Sequence, residues 1–475
     1  MVNHIFSNFL KNGYHKDIRF WLLVFFVLRL FAITQAPIAI GHNWRQSTVT
    51  MVARNFLEID NNLLYPRVDI AGNKTGITGM EFPLLNSLIY LLSLLFGYEH
   101  WYGRIINLTI SSIGLWFFYR LILSRFTQSL AFKATIILAL SIWFQFSRKI
   151  MPDTFSMSLM IIGFYALNIA LTKQKWSKLS YSLLYALLIV LAGLSKLPSL
   201  YLLVFVPIMM WRSRVDNYTW FLICTLTIIS LVPVLWWYFR WVPFLVNEFG
   251  FWHFFMGKDI SVAFQEIASN IGETSKRFYE TALGISGGVI MFISLYFAII
   301  KRQYTMLLFL GIGFLAFLPV VLKSGFTFYH HNYYIIPFVP VMAVFAAFGL
   351  EQIKKRKWYL LLMTVFVIDA FARQYHDFVF PERNRFLLTL EDELNVYSRS
   401  DEKFVINSGD YPTPMYFAHR KGWVMHNDKI TIESLQKLNQ EGAKFLLVLK
   451  KQFGKDLIIP DLTSVVETED YRLYE

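Results

Sequence analysis

Long apolar blocks separated by short polar turns make up most of this chain. A helix needs about 20 apolar residues to cross the hydrocarbon of a bilayer. Blocks near or a little below that length recur at 18–40, 101–123, 131–147, 153–171, 179–195, 197–211, 218–240, 282–300, 304–322, 333–350 and 358–373. They predict about eleven transmembrane helices, several short enough to merge or tilt. The stretch EFPLLNSLIYLLSLLFG (81–97) has only about 15 apolar positions, the length of an interfacial or re-entrant helix. Beyond residue 373 the pattern changes. EKFVINSG and AKFLLVLK read as short buried strands, and TIESLQKLNQEGAKF as an amphipathic helix capped by Thr431, with Glu433 near its start and Gly442 at its end. Strands alternating with helix predict a small α/β domain, in which Pro412 and Pro414 mark an irregular loop. The expected fold is therefore an α-helical polytopic membrane protein: a transmembrane domain over 1–373 interrupted by a long loop, 41–100, then an α/β domain over 374–475.

The connections fix the orientation. With Lys11, Lys16 and Arg19 in the cytoplasm, the turns on that side carry Arg120, Arg125 and Lys133, then Lys173, Lys175 and Lys178, then Arg212 and Arg214, then Lys301 and Arg302, then Lys354 to Lys357. Every one is basic and nearly free of acid, as the positive-inside rule expects. An odd number of spans puts the tail on the opposite side.

Composition narrows the class. Hydrophobic residues are 56% of the 475 and charged residues only 16%, more apolar surface than one soluble core absorbs. The net charge of +13 is spread in small groups between apolar blocks, not along a stripe or arm, so it reports membrane topology and not a nucleic-acid partner. The single cysteine, Cys224, lies in an apolar block and supplies neither a disulfide framework nor a cysteine metal site. The first apolar block is long and lacks a small-residue cleavage site, so no cleavable signal peptide is expected. No solenoid-type repeat or low-complexity linker is present.

Charge at membrane depth is expensive, which makes ionisable residues at span ends candidates for function. On the outer side these are His42, Arg45, Glu81, Arg148, Lys149, Asp153, Lys196, Lys258, His330 and His331. Carboxylates and cations at one membrane surface suit transfer of a sugar from a polyprenyl phosphate. The cations would stabilise charge growing on the departing phosphate, and a fixed carboxylate would take the proton of the attacking hydroxyl. Each residue also has an ordinary reading. Glu81 and Asp153 suit helix N-termini, Lys196 is placed to snorkel, and His330 with His331 could be an interfacial pair; span-end Trp and Tyr form the usual aromatic belt. A secondary transporter or flippase would be equally apolar, but it places polar groups near the bilayer midplane and often shows two related halves. Here the polar groups collect at one surface and no duplication is evident. A polysaccharide ligase and a non-catalytic assembly protein are further alternatives.

The order of a first span, a long outer loop with polar residues at its start (GHNWRQ), GMEFPLLNSLIYLLSLLFGYEHWYGRIINL (79–108), KIMPDTFSMSLMIIGFYAL (149–167), GLSKLPSLYLL (193–203) and HHNYYIIPFVPVMAVFAAFGLE (330–351) resembles the GT-C membrane glycosyltransferases. Within them it is most similar to the protein O-mannosyltransferase and lipid A aminoarabinose transferase branch, over roughly residues 15–373. The resemblance implies a polyprenyl-phosphate-sugar donor, a lipid, glycan or protein acceptor, and an active site on the extracytoplasmic side, here of a bacterial inner membrane. It implies Glu81 of GMEFPLL as the base, with Asp153 and His42 assisting. Where the family has an Asp-Glu pair this chain has His42 and Asn43, so a carboxylate-bound divalent metal finds little support and no cofactor is otherwise implied. Arg45, Lys149, Lys196, Lys258 and the stretch from His330 through His331 and Tyr333 are expected to face phosphate and sugar, while Asn43, Trp44 and Gln46 hold hydroxyls or stack on a ring.

Overall fold

The computed structural model describes residues 16–39, 41–251, 257–451, 457–460 and 462–475. Lys11, used above for orientation, lies outside them. The chain divides into two compact units: Met1–Ile33 with Arg104–Trp237 and Met256–Gln374, and Thr34–Gly103 with Tyr238–Phe255 and Tyr375–Glu475.

The first unit is helical. Among the described residues six helices are long and apolar enough to cross a bilayer: Tyr102–Leu123, Pro152–Ala170, Lys175–Ser195, Asn217–Phe249, Tyr304–Ser324 and Asn332–Glu351. A seventh span results if Ile271–Thr281 and Gly284–Ile300, bent by 91° between them, count as one. The protein is thus multi-pass. The remaining apolar blocks give shorter pieces. Block 18–40 yields Ile18–Leu30 of 13 residues, ended by turn backbone in which Ala32 is left-handed at φ 54°. Block 131–147 breaks at Ser141, whose extended backbone separates Gln128–Leu140 from Ile142–Phe146 and whose hydroxyl caps the second by accepting from the Trp143 amide at 3.1 Å. Block 197–211 opens as a 3₁₀ helix, Leu197–Val204, before Phe205–Arg212, and 358–373 becomes the 17-residue Arg356–Ala372. An apolar block specifies burial, whereas helix continuity is decided by single Ser and Pro positions within it.

Small residues bring the long helices close, as expected where lipid offers no hydrophobic gain for association. A methyl at Gly114 would stand 2.5 Å from the Ser158 hydroxyl, and one at Gly163 would lie 3.2 Å from Leu188. Pro152–Ala170 is consequently buried along nearly its whole length, and its N-terminal end, with Pro152 and Asp153 in the first turn, is held by these packed neighbours.

The second unit joins the first outer loop to the tail. Its sheet has the order β2-β1-β3-β5-β4, with β1 Lys403–Ile406, β2 Lys421–Val424, β3 Ala443–Leu449, β4 Ser464–Glu467 and β5 Tyr471–Tyr474. β1 pairs in parallel with β2 and β3, and β5 runs antiparallel to β3 and β4. Helix Ile432–Gln440 starts at Thr431 through a reciprocal capping box with Ser434, and Gly442 follows it in a left-handed conformation. The irregular loop expected around Pro412 and Pro414 is instead a short buried helix, Thr413–Ala418, with proline in its first turn where no amide is needed.

One apolar core unites loop and tail: Ile38, Met51, Val52, Phe56, Val68, Ile70 and Met80 pack with Leu387, Phe404, Ile406, Met415, Tyr416, Leu447, Tyr471 and Leu473. The compact body therefore does not follow a single cut near residue 374. Helix Leu84–Phe96 is reversed relative to a soluble helix. Asn86, Ser87 and Ser93 are buried, the Asn86 amide donating to the Val49 carbonyl at 2.7 Å, while Leu91, Leu94, Leu95 and Phe96 are exposed. Such a surface suits lipid rather than water.

Candidate active site

The candidate residues fall into sets, each within one unit. In the second unit, His42 takes left-handed backbone (φ 61°) immediately before helix Asn43–Glu58. That conformation is uncommon for a side-chain-bearing residue and turns the chain sharply into the helix. The Asn43 side chain accepts from the Trp44 amide at 2.6 Å, and the Gln46 amide group donates back to the Gly41 carbonyl at 3.2 Å, so both stiffen the first turn. Trp44 is half-buried. Arg45, only 4% exposed, donates from Nη2 to Glu81 Oε1 at 2.5 Å. This short, charge-assisted bond brings together two residues 36 positions apart and fixes the carboxylate just ahead of Pro83 and helix Leu84–Phe96.

Further along the same helix lies a buried network that sequence reasoning missed. Arg54 donates to Asp69 Oδ2 at 3.1 Å and to the Tyr416 carbonyl at 3.0 Å, and its guanidinium lies over the Tyr416 ring at 4.6 Å. Asn55 holds the other oxygen of Asp69 at 2.8 Å. The Tyr416 hydroxyl is shared with Tyr98 at 2.5 Å and His100 at 2.6 Å, and burial pushes the Tyr98 phenol up to about 12. At the helix end, His419 sits between Glu391 at 2.6 Å and Glu58 at 2.9 Å; these two bonds, Glu391 first, raise its pKa to about 9. Asn43–Glu58 carries no apolar stripe, because its polar face is buried against the tail. A polar helix of that length with two arginines was the available signal.

In the first unit, Asp153 and Lys196 meet. Asp153, 3% exposed, lies 3.5 Å from Lys196 Nζ, and that ammonium sits over the rings of Tyr333 at 5.4 Å and Tyr334 at 5.7 Å. His331 stacks on Tyr333 at 5.4 Å, and Tyr333 reaches Phe146 at 6.1 Å. Lys149 is buried beside the Phe146 ring at 4.7 Å, and Arg148 donates to the Ala32 carbonyl at 2.7 Å. The organiser of this turn is Asn107, fully buried. Its amide nitrogen is within reach of the Phe146, Lys149 and Met151 carbonyls (3.1, 2.8 and 3.2 Å), and its oxygen accepts from Thr154 at 3.1 Å. A lone Asn in an apolar span was its signal.

Lys258 belongs to another cluster. It pairs with Glu266 at 2.5 Å and sits over Phe326 at 5.6 Å, on which His330 stacks at 4.8 Å. The Lys258 bond, with the Phe326 amide, holds the Glu266 carboxyl below its usual range. His330 and His331 touch edge to face at 4.9 Å, so both histidines contribute ring contacts. Among the described residues no three His, Cys, Asp or Glu side chains gather as a metal cage, and His42 with Asn43 does not fit the carboxylate pair such a cage would use.

Residues 81–237 match the family model described as dolichyl-phosphate-mannose-protein mannosyltransferase. No curated protein matches the sequence. The fold is similar to apo ArnT from Cupriavidus metallidurans, with a TM-score of 0.57 at 12% identity, covering 96% of this chain and 97% of that one. ArnT from the same organism bound to undecaprenyl phosphate gives 0.54 at 10% identity over the same shares. The apo oligosaccharyltransferase of Archaeoglobus fulgidus gives 0.51 at 11% identity, covering 90% of this chain and 70% of that one.

Proposed function

From the family-model match over residues 81–237 and the fold similarity to ArnT, we propose that the chain is a GT-C glycosyltransferase that transfers a sugar from a polyprenyl-phosphate carrier to a lipid, glycan or protein acceptor at the extracytoplasmic face of a bacterial inner membrane. In this reading about eleven membrane segments carry the site, several of them the short helices described above, and the α/β tail lies outside.

The reaction is a displacement at the anomeric carbon. Glu81 accepts the proton of the acceptor hydroxyl as its oxygen bonds to that carbon from the face opposite the phosphate. The bond from the carbon to the phosphate oxygen breaks with its electron pair, so the configuration inverts and polyprenyl phosphate departs. Cations are needed where charge grows, because fixed positive groups in a water-poor site stabilise a leaving phosphate without reorganising. In this reading Arg45 supplies such charge in the second unit, and Lys149, Lys196, Lys258, His330 and His331 of the first unit keep the phosphate- and sugar-facing roles assigned from the sequence. Tyr333 backs Lys196, while Asn43, Trp44 and Gln46 shape the sugar pocket. Asp153 orients Lys196, and His42 assists the base by setting the turn before Arg45.

The observation that carries this reading is the Arg45–Glu81 contact. A carboxylate held by a guanidinium stays ionised but is a poor base. In this reading an arriving donor phosphate competes for the same guanidinium and weakens its hold on Glu81, which then accepts the proton. The test is incubation of purified protein with a panel of polyprenyl-phosphate sugars and acceptors, measuring free polyprenyl phosphate. Release with one donor is expected. Absence of release across the panel, with movement of intact carrier across a vesicle membrane instead, would replace the enzyme by a flippase.

A further inference from the structure

A polar-headed groove lies wholly within the first unit, among helices that end near the basic turns of Arg125 and Arg212. It is an open groove with a cavity volume of ≈ 160 Å³ between Tyr102–Leu123, Pro152–Ala170, Leu197–Arg212, Tyr304–Ser324 and Asn332–Glu351. Its walls are hydrocarbon and aromatic, among them Phe118, Ile161, Phe164, Phe205, Phe309 and Val341. The mouth is different: Arg125 and Arg212 are the ionisable residues that line it.

Arg125 is anchored by neutral groups. Its Nε donates to the Asn168 side chain at 2.9 Å, and both terminal nitrogens donate to the Ser213 hydroxyl at 3.1 Å. Burial and the charge of Arg212 both weaken its hold on its proton. Arg125 is half-buried and Arg212 exposed, and among the described residues no carboxylate forms an ion pair with either. Two guanidiniums facing one mouth without an acid repel each other, and an anion between them removes the repulsion. From Phe118 to Arg125 the groove runs roughly 10 Å along the helix at 1.5 Å per residue, the reach of a hydrocarbon segment rather than of a headgroup alone.

We infer that this groove binds one anionic glycerophospholipid, its phosphate between Arg125 and Arg212 and part of one acyl chain among the phenylalanines. Basic pockets between membrane helices on the cytoplasmic side hold such headgroups. The charge of the mouth selects an anionic over a zwitterionic lipid, and the apolar depth selects a lipid over free phosphate. The groove lies apart from the proposed sugar-transfer residues in sequence and carries none of them.

The experiment uses the full chain, purified and stripped of lipid, and counts retained lipid by native mass spectrometry. Phosphatidylglycerol, phosphatidylcholine, polyprenyl monophosphate and inorganic phosphate are offered in separate arms. One phosphatidylglycerol per chain is expected, with Arg125→Gln and Arg212→Gln together weakening retention about tenfold to a hundredfold. A control pair at the same membrane end but outside the groove, Arg214→Gln with Lys301→Gln, is expected to retain lipid as the parent does. Should the double arginine variant fail to fold, Ile208→Trp fills the groove while keeping both cations, and it is expected to exclude the lipid as well. Equal retention of phosphatidylcholine, preference for polyprenyl monophosphate, full competition by inorganic phosphate, or undiminished retention in both groove variants would each overturn the inference.

Discussion

The two units handle their buried charges in different ways. In the second unit, cations and carboxylates are locked by short contacts between segments far apart in sequence: Arg45 with Glu81 at 2.5 Å, Arg54 with Asp69 at 3.1 Å, His419 with Glu391 at 2.6 Å. In the first, the buried pair Asp153 and Lys196 stands 3.5 Å apart at two helix ends with the ammonium shared with aromatic faces, while the half-buried Lys258–Glu266 pair is short at 2.5 Å. A guanidinium can grip a carboxylate through several fixed donors, whereas an ammonium is a point charge that slides over rings. Tight pairing builds a frame, and looser pairing leaves a charge available to a substrate. Arg45–Glu81 combines the two, since it is as short as the frame contacts yet lies in the loop that carries the proposed base.

If Glu81 is more than frame, Glu81→Gln should have the largest effect on activity. The amide keeps the shape and a hydrogen bond to Arg45 but cannot take a proton, so turnover is expected to fall by about 10²- to 10⁴-fold. Donor binding and the melting temperature should stay close to those of the parent. Unchanged turnover would reduce the pair to a structural tie. Arg54→Met tests the opposite case, a contact that is all frame. Removing the guanidinium strands Asp69 in the core, and the expected loss is about 3–5 kcal/mol of stability. The measurement is a detergent melt of the full chain, and the tail should become accessible to protease. Activity lost with no change in stability would mean that Arg54 serves the reaction and not the frame.

The contrast also explains what the amino-acid order made legible. The spans were readable because lipid imposes one rule, an apolar run of sufficient length, and Pro152–Ala170 follows it almost residue for residue. Block 131–147 misled because Ser141 interrupts the helix without interrupting hydrophobicity, whereas block 197–211 is helical over Leu197–Arg212 but begins as a 3₁₀ helix. Of the tail, β1, β3 and helix Ile432–Gln440 carried clear patterns. KGWV, SVVE and YRLY did not, since four-residue strands at or near an edge need no apolar run. At the candidate site, Glu81, Arg45, Asp153 and Lys196 could be named from charge at span ends. Their partners could not, because a contact between residues 45 and 81 leaves no periodic trace. Asn43–Glu58 was the hardest to see. Its Ser47 and Arg54 spend their polarity on Thr413 and Tyr416, residues more than 300 positions away, so neither helical period nor hydropathy announces the helix.

A smaller effect is expected from the looser pair. Asp153→Asn keeps the helix-start geometry and the bonds organised by Asn107, and removes only the charge facing Lys196. The Lys196 ammonium, still over the Tyr333 and Tyr334 rings, should bind the donor phosphate at least as well, while losing its orientation for the leaving step. The expectation is a fall in kcat of about tenfold with KM unchanged or lower, a split that a folding defect would not give. A fall in kcat as deep as that of Glu81→Gln would make Asp153 an equal partner in proton transfer and erase the distinction drawn here.

The smallest effect should come from His419, where the frame is tied by a group that titrates. Its pKa is raised to about 9, above the ordinary 6.5, by the bonds to Glu391 and Glu58, so the charged form is favoured by folding. Stability from this clamp is therefore complete below about pH 6.5 and is lost as pH rises through about 9. The side chain is 30% exposed, so solvent screens the gain, and a contribution of about 1 kcal/mol is expected at pH 7. Melting temperatures of the parent and of His419→Gln, measured from pH 6 to pH 10, should differ most at the acid end and converge toward the alkaline end. A constant gap across that range would show that the imidazole holds Glu58 and Glu391 by shape alone, without its charge.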